Sequence, residues 1–192
     1  MTFSALLLAG GESRRMGRDK ATLVVHGRPL WKRQLELLRV LRPEKIFVSA
    51  RGHPAWLPDN VELLLDDPPS RGPLSGLTKA LVAMRTTHLI ALAVDMPFMT
   101  AGELQRLLEF VTDNRGCVPL IGERAEPLAA VYPANAAGDF NAALAGEDFS
   151  LQRLVVNLMA DDKIKPCPIE KCAANFYRSV NEPGDIKKAA AP

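Results

Sequence analysis

The stretch "ALLLAGGESRRMGRDKATL", Ala5 to Leu23, decides how the rest of the chain is read. An apolar run ends at two glycines, and three arginines, an aspartate and a lysine then crowd into residues 12–20. The run Phe3–Leu8 predicts a buried strand that empties into a glycine turn. A turn this cationic after so apolar a strand asks for an anionic ligand or for solvent.

Working outward, short apolar runs alternate with longer amphipathic ones. Pro29–Leu41 carries Leu30, Leu35, Leu37, Leu38 and Leu41 at helical spacing, with Pro29 suited to a first helical position. Lys45–Ala50 and Val61–Leu65 read as strands, the second ending in Asp66-Asp67-Pro68-Pro69. "RGPLSGLTKALVAMR" is a turn feeding a helix, and "HLIALAVDMPF" a buried strand closed by Asp95 and Pro97. Thr100–Val111 opens with a threonine and a glutamate three residues on, the pattern of a capping box. Cys117–Ile121 and Pro127–Tyr132 read as strands around "GERAE". Ala134–Ala145 and Ser150–Ala160 read as helices, Ile164–Ile169 as a last strand and "NEPGDIKKAA" as a short final helix. Strands alternating with helices predict an α/β fold, a mostly parallel sheet with helices on both faces, as one domain over residues 1–192. Ligands of such sheets sit at the carboxyl ends of the strands, where strand order switches. Gly10, Gly11, Ser49, Arg51, Asp66 and Asp95 all follow an apolar run.

The totals bound the rest. The chain has 192 residues, 47% of them hydrophobic, and a net charge of +2, so the arginine cluster is local and a general nucleic-acid binder is disfavoured. Three cysteines at scattered positions, Cys117, Cys167 and Cys172, make no disulfide framework and point to reduced thiols. No apolar run approaches the ~20 residues of a membrane span. The first run has no basic region before it, so no signal peptide is read and the expected location is the cytoplasm.

Two familiar phosphate loops fail on spacing. Gly11 and Gly17 stand one residue too far apart for a P-loop, and Arg18-Asp19-Lys20 does not supply its ending. Gly10-Gly11-Glu12 breaks the dinucleotide fingerprint, and no acid follows the second strand, which ends at Ala50-Arg51. The chemistry still suits phosphate. Paired glycines let backbone N–H groups approach anionic oxygens, and Arg14, Arg15, Arg18 and Lys20 surround the same loop. The alternative is a plain surface turn with solvated arginines.

The opening resembles that of the molybdenum cofactor guanylyltransferases, within the wider nucleotidyltransferase family. Leu8-Ala9-Gly10-Gly11, Ser13, Arg15-Met16-Gly17 and Asp19-Lys20 match the family's L-A-G-G-x-S-x-R-M-G-x-D-K pattern. Asp66 after a strand, Gly72-Pro73-Leu74-x-Gly76, Asp95-x-Pro97, "GERAEPLAAVYP" and Asn181-x-Pro183-x-Asp185 follow in the family's order. The resemblance implies a three-layer, Rossmann-like nucleotidyltransferase fold. It also implies transfer of GMP from GTP to the terminal phosphate of molybdopterin, with release of pyrophosphate and a requirement for Mg2+.

Carried over residue by residue, the resemblance makes Asp95 the magnesium ligand and, with Lys20, the catalytic pair; a carboxylate at a sheet mouth suits a hard cation, and a lysine a phosphate. Leu8, Ala9, Gly10 and Gly11 would meet the nucleotide through their backbone, and Arg15 would contact the triphosphate. Asp66, with Asp67 its rival by one place, would accept from the guanine ring N–H and amino group together, which adenine does not offer. Ser49 stands where the family can carry a nucleotide-binding asparagine, and Asn181 and Ser179 are the candidate pterin contacts. The attacking phosphate monoester, with a second pKa of ~6, needs no general base, so His26, His53 and His88 need no catalytic role. The cytidylyl branch acting on the same cofactor usually reads A-A-G where this chain has Ala9-Gly10-Gly11. The resemblance implies GTP and molybdopterin as partners, with molybdoenzymes or other cofactor-biosynthesis proteins as further candidates. A rival of another class is a non-catalytic nucleotide-binding or cofactor-chaperoning protein that interacts with molybdoenzymes. Retention of Lys20 and Asp95 argues against it.

Overall fold

Phe3–Leu8 forms β1, and its consecutive apolar residues are explained by its place: it is paired in parallel on both edges and covered on both faces. The computed structural model describes residues 1–10 and 19–180, so Gly11, Arg15, Asn181 and the expected helix at 181–190 lie outside the described residues. After β1 the described chain runs through a hairpin of β2 (Val24–Val25) and β3 (Arg28–Pro29), α1 (Leu30–Val40), β4 (Ile46–Ala50), β5 (Glu62–Leu65), α2 (Pro73–Ala83) and β6 (His88–Ala93). It continues through α3 (Ala101–Glu109), β7 (Gly116–Ile121), β8 (Arg124–Ala125), β9 (Val131–Pro133), α4 (Ala137–Ala145), α5 (Leu151–Ala160) and β10 (Ile164–Pro168). Single 3-10 turns occupy Lys20–Thr22, Ala134–Ala136 and Ala174–Tyr177.

The central sheet runs β10-β7-β9-β6-β1-β4-β5, with β8 paired to β7. It is mostly parallel, as the alternation of elements predicts. β9 is the exception on this path and pairs antiparallel to both β6 and β7. The stretch from Ile121 to Val131 is shorter than the dozen or so residues a parallel crossover needs, so the chain folds back instead. The ladder of Pro127–Tyr132 narrows to Val131–Pro133, although Ala91 and Ala93 still donate to the carbonyls of Ala130 and Leu128.

The two-residue side-chain period of the strands builds two cores. Ala5 and Leu7, Val48, Ile90 and Leu92 face α1 and α3, meeting Leu35, Leu38, Leu104 and Leu107. Leu6 and Leu8, Phe47, Leu89 and Ala91 face α2, α4 and α5, meeting Leu77, Phe140 and Leu158. Each buried leucine contributes about 1.5–3 kcal/mol. No helix among the described residues is long and apolar enough to cross a membrane. The three cysteines form no disulfide.

Local chemistry departs from the sequence expectations at Pro29 and at the start of α3. Pro29 ends β3 and precedes α1 rather than opening it. The hairpin before it turns through His26 and Gly27, both at positive φ, the geometry a two-residue hairpin loop requires. At α3, Thr100 accepts from the Glu103 N–H at 3.2 Å, but the Glu103 carboxylate does not complete the box. It is taken by Arg106 and by the Tyr177 hydroxyl (2.7 Å). Burial acts to raise the Glu103 carboxyl pKa, but these donors outweigh it and hold the group below its ordinary value.

Gly76 of α2 packs directly on β4. A Cβ there would lie 2.2 Å from Ser49 Oγ and 3.0 Å from a Leu8 methyl. Gly76→Ala is therefore expected to cost about 1–3 kcal/mol in urea unfolding, with part recovered by adding Ser49→Gly. His88 is fully buried at the amino end of β6, and burial holds its pKa below the ordinary 6.5. The unfolded chain then binds the extra proton first. Stability contributed by neutral His88 is present above pH 6.5 and is lost as pH falls through the depressed folded value. Unfolding from pH 7 to 5 should show this acid loss, at most about 1.4 kcal/mol per pH unit, and His88→Phe should flatten it.

Candidate active site

β1, β4, β5 and β6 run in parallel, so their carboxyl ends share one edge of the sheet. The chain builds β4 and β5 on one side of β1 and then returns to place β6 on the other. That reversal opens the crevice in which such folds bind ligands. Every expected nucleotide-site residue within the described residues lines it: Leu8, Ala9, Gly10, Lys20, Ser49, Asp66 and Asp95. Gly72 and Pro73, at the start of α2, with Ala93, Val94 and Leu128, complete the wall of a cleft of about 560 Å3, open mouth included. Gly72 adopts φ 65°, so the entry to α2 needs the glycine.

Asp66 continues β5 by one residue, its N–H bonded to the Ala50 carbonyl at 3.0 Å. Its carboxylate is nearly buried and held from two sides. Ser49 Oγ donates to Oδ1 at 3.2 Å and Ser70 Oγ to Oδ2 at 2.8 Å, while Ser70 Oγ accepts from the Gly72 N–H. The neighbouring Asp67 points away, its side chain 85% exposed and paired with Lys79 at 2.8 Å. The extended backbone thus decides between the two aspartates. Ser49 is 2% exposed and is engaged with Asp66.

Lys20 and Asp95 come together across 75 residues of sequence, Nζ to Oδ2 at 2.9 Å, each side chain less than a fifth exposed. Lys20 opens a 3-10 turn capped by Asp19, whose Oδ1 accepts from the Ala21 N–H at 2.9 Å. The backbone after β6 is anchored at successive carbonyls. Val180 N–H donates to Asp95 O at 2.8 Å, Gln34 Nε2 to Met96 O at 2.5 Å and Arg33 Nε to Pro97 O at 2.9 Å. The Val180 bond also brings the C-terminal segment back to the site, held further down by Tyr177 on Glu103. Ser179 rides on this segment, half-buried and outside the cleft lining.

The structure adds one residue the sequence does not single out. Burial raises the Glu126 carboxyl pKa, and the charge of Asp95 adds to the effect, so the two acids lie within electrostatic reach. Glu126 also accepts from the N–H of the cleft residue Leu128 at 3.3 Å. Its signal in the sequence is its place in "GERAEPLAAVYP", a strand-flanking turn holding an acid among apolar neighbours. None of the three histidines lines the cleft: His26 and His53 are exposed, and His88 is buried at the far end of β6.

A family model described as a MobA-like NTP transferase domain matches residues 5–161. A probable molybdenum cofactor guanylyltransferase of Opitutus terrae is 36% identical, over 83% of this chain and 80% of that protein. A molybdenum cofactor guanylyltransferase of Cereibacter sphaeroides is also 36% identical, over 98% of this chain and 96% of its own length. Among solved structures, molybdopterin-guanine dinucleotide biosynthesis protein A from Archaeoglobus fulgidus superposes with a TM-score of 0.74 at 19% identity, covering 97% of this chain and 96% of that one, which shows a shared fold. Matched along most of its length by the model and by relatives above 30% identity, the chain belongs to the family of MobA-like NTP transferase domains.

Proposed function

We propose that this chain transfers GMP from GTP to the terminal phosphate of molybdopterin. The observation that carries the reading is the Lys20–Asp95 pair at the mouth of the sheet, sharing one cleft with the oriented carboxylate of Asp66. The names of the relatives supply the acceptor. An oxygen of the acceptor phosphate attacks the α-phosphorus, the bond to the β-phosphate oxygen breaks, and pyrophosphate leaves. The acceptor is already largely ionised at neutral pH, which fits a cleft without histidine.

Such transfers depend mainly on positioning and on charge placed near the phosphates. Lys20 supplies that charge on a capped turn. Asp66 would accept from guanine N1–H and its 2-amino group, since each of its oxygens holds one serine hydroxyl, Ser49 or Ser70, and has room for a second donor. The donors around Asp95 fit magnesium, which prefers one or two carboxylates completed by phosphate oxygens. The cleft lining offers carboxylates and neither thiolate nor imidazole. Among the described residues no group of three or more His, Cys, Asp or Glu side chains could hold a metal, so phosphate oxygens would complete the shell. Asp95 would hold the ion, which when bound neutralises charge on the triphosphate.

Pyrophosphate release from GTP, Mg2+ and molybdopterin tests the reading, with CTP in place of GTP as its control. Asp95→Ala should lower turnover by more than about a hundredfold while circular dichroism stays unchanged, and chelation of the metal should do the same to the native chain. Wild-type turnover in that variant would remove Asp95 from the chemistry. Asp66→Asn swaps one acceptor oxygen for a donor facing guanine's own donors. It should shrink the preference for GTP over ATP by roughly ten- to a hundredfold in competition assays. An unchanged preference would place base recognition elsewhere.

A further inference from the structure

The groups bonded to the turn that carries Lys20 lie just outside the cleft. A second depression shares Ala9 and Gly10 with it and is bounded by Asp19, Arg51 and Trp56. Trp56 Nε1 donates to Asp19 Oδ2 at 3.1 Å, and the other oxygen of Asp19 caps the turn that Lys20 opens. Both Asp19 oxygens are therefore held by neutral N–H donors, one local and one from a loop 37 residues away. The Trp56 ring stacks in turn on Trp31 of α1, with centroids 5.2 Å apart and planes 14° apart. The same helix grips the backbone after Asp95 through Arg33 and Gln34. One helix thus reaches toward both members of the ion pair, Asp95 through the carbonyls of Met96 and Pro97 that follow it and Lys20 through Trp31, Trp56 and Asp19.

We propose that Trp56 is a positioning residue, its indole N–H fixing the Asp19 carboxylate and thereby the reach of Lys20 toward Asp95 and the nucleotide phosphates. A ring present only for packing would need no donor, and phenylalanine would still offer a ring to Trp31. Here the N–H is spent on a carboxylate, a charge-assisted bond stronger than a neutral one. The effect on rate rests on the guanylyl-transfer reading, whereas the effect on Lys20 itself does not.

The test uses the full chain with Trp56→Phe, which keeps a ring and removes the donor, and Asp19→Ser, which keeps a cap for Ala21 and loses the oxygen facing Trp56. Acetylation of Lys20 by an N-hydroxysuccinimide ester, followed by peptide mass spectrometry, reads its position, with exposed Lys171 as internal reference. Each variant should label Lys20 roughly fivefold faster, the scale of one modest hydrogen bond, and the double variant no faster than either single one. In pyrophosphate release, Trp56→Phe should lower kcat roughly five- to tenfold while KM for GTP moves less than about twofold. Unchanged Lys20 labelling in Trp56→Phe, or additive effects in the double variant, overturns the proposal. If the native chain releases no pyrophosphate, the guanylyl-transfer reading fails, and the labelling comparison still decides the role of Trp56.

Discussion

β1 has no free edge and no free face. Its backbone is paired with β4 on one side and β6 on the other, and its side chains are divided between two cores. A strand enclosed in this way meets water only where it ends, so the chain surfaces at Ala9 and Gly10 and the cleft forms there. Register does the rest. Ser49 and Ala93 lie level with Leu8 on the two flanking strands, so the next residues of each strand converge on one opening. Asp66 enters one strand further out, still bonded to Ala50.

The polar part of the cleft is organised around that apolar frame rather than contributing much to its stability. For a mostly buried ion pair such as Lys20–Asp95 the desolvation cost largely offsets the Coulomb gain, so its placement points to function more than to folding. Stability resides in the two leucine-rich cores, and they orient the charges through rigid neighbours. α1 buries Leu35 and Leu38 beneath the sheet and from the same turns extends Arg33 and Gln34 to the loop after Asp95. On the opposite face, Gly76 lets α2 lie against Ser49, which keeps the serine hydroxyl on Asp66. A nucleotide entering the cleft would meet charges already aimed, as electrostatic catalysis requires.

Buried polar groups elsewhere follow the same economy of partners. Glu103 sits under the C-terminal segment with Arg106 and the Tyr177 hydroxyl on its oxygens, and this cluster ties the segment to α3 just before Val180 reaches Asp95. A capping box at α3 would have spent the same carboxylate on the helix end. An arginine three residues along the same helix and a phenol from the C-terminal segment take it instead, because a buried carboxylate or phenol left unpaired costs more than an uncapped N–H near solvent.

Periodicity and punctuation along the chain were enough to reveal β1, β4, β5, β6 and helices α1 to α5 to within a few residues, because strands inside the sheet demand continuous apolar runs and amphipathic helices repeat every three to four residues. The same signals marked Gly10, Ser49, Asp66 and Asp95 as residues leaving apolar runs for the sheet mouth, and the cationic glycine loop with its family pattern marked Lys20. They could not orient β9, whose antiparallel direction follows from a connection too short for a crossover, nor show that Asp66 rather than Asp67 faces the cleft. Glu126, the Trp56–Asp19 bond and the grip of Arg33 and Gln34 on the Asp95 loop were likewise hidden, since each joins residues far apart in the chain. The sequence by itself determined which segments are buried and which chemical groups stand where they end. Only the tertiary structure decided which of those groups meet, because the distances between them are set by strand register and helix packing and not by spacing along the chain.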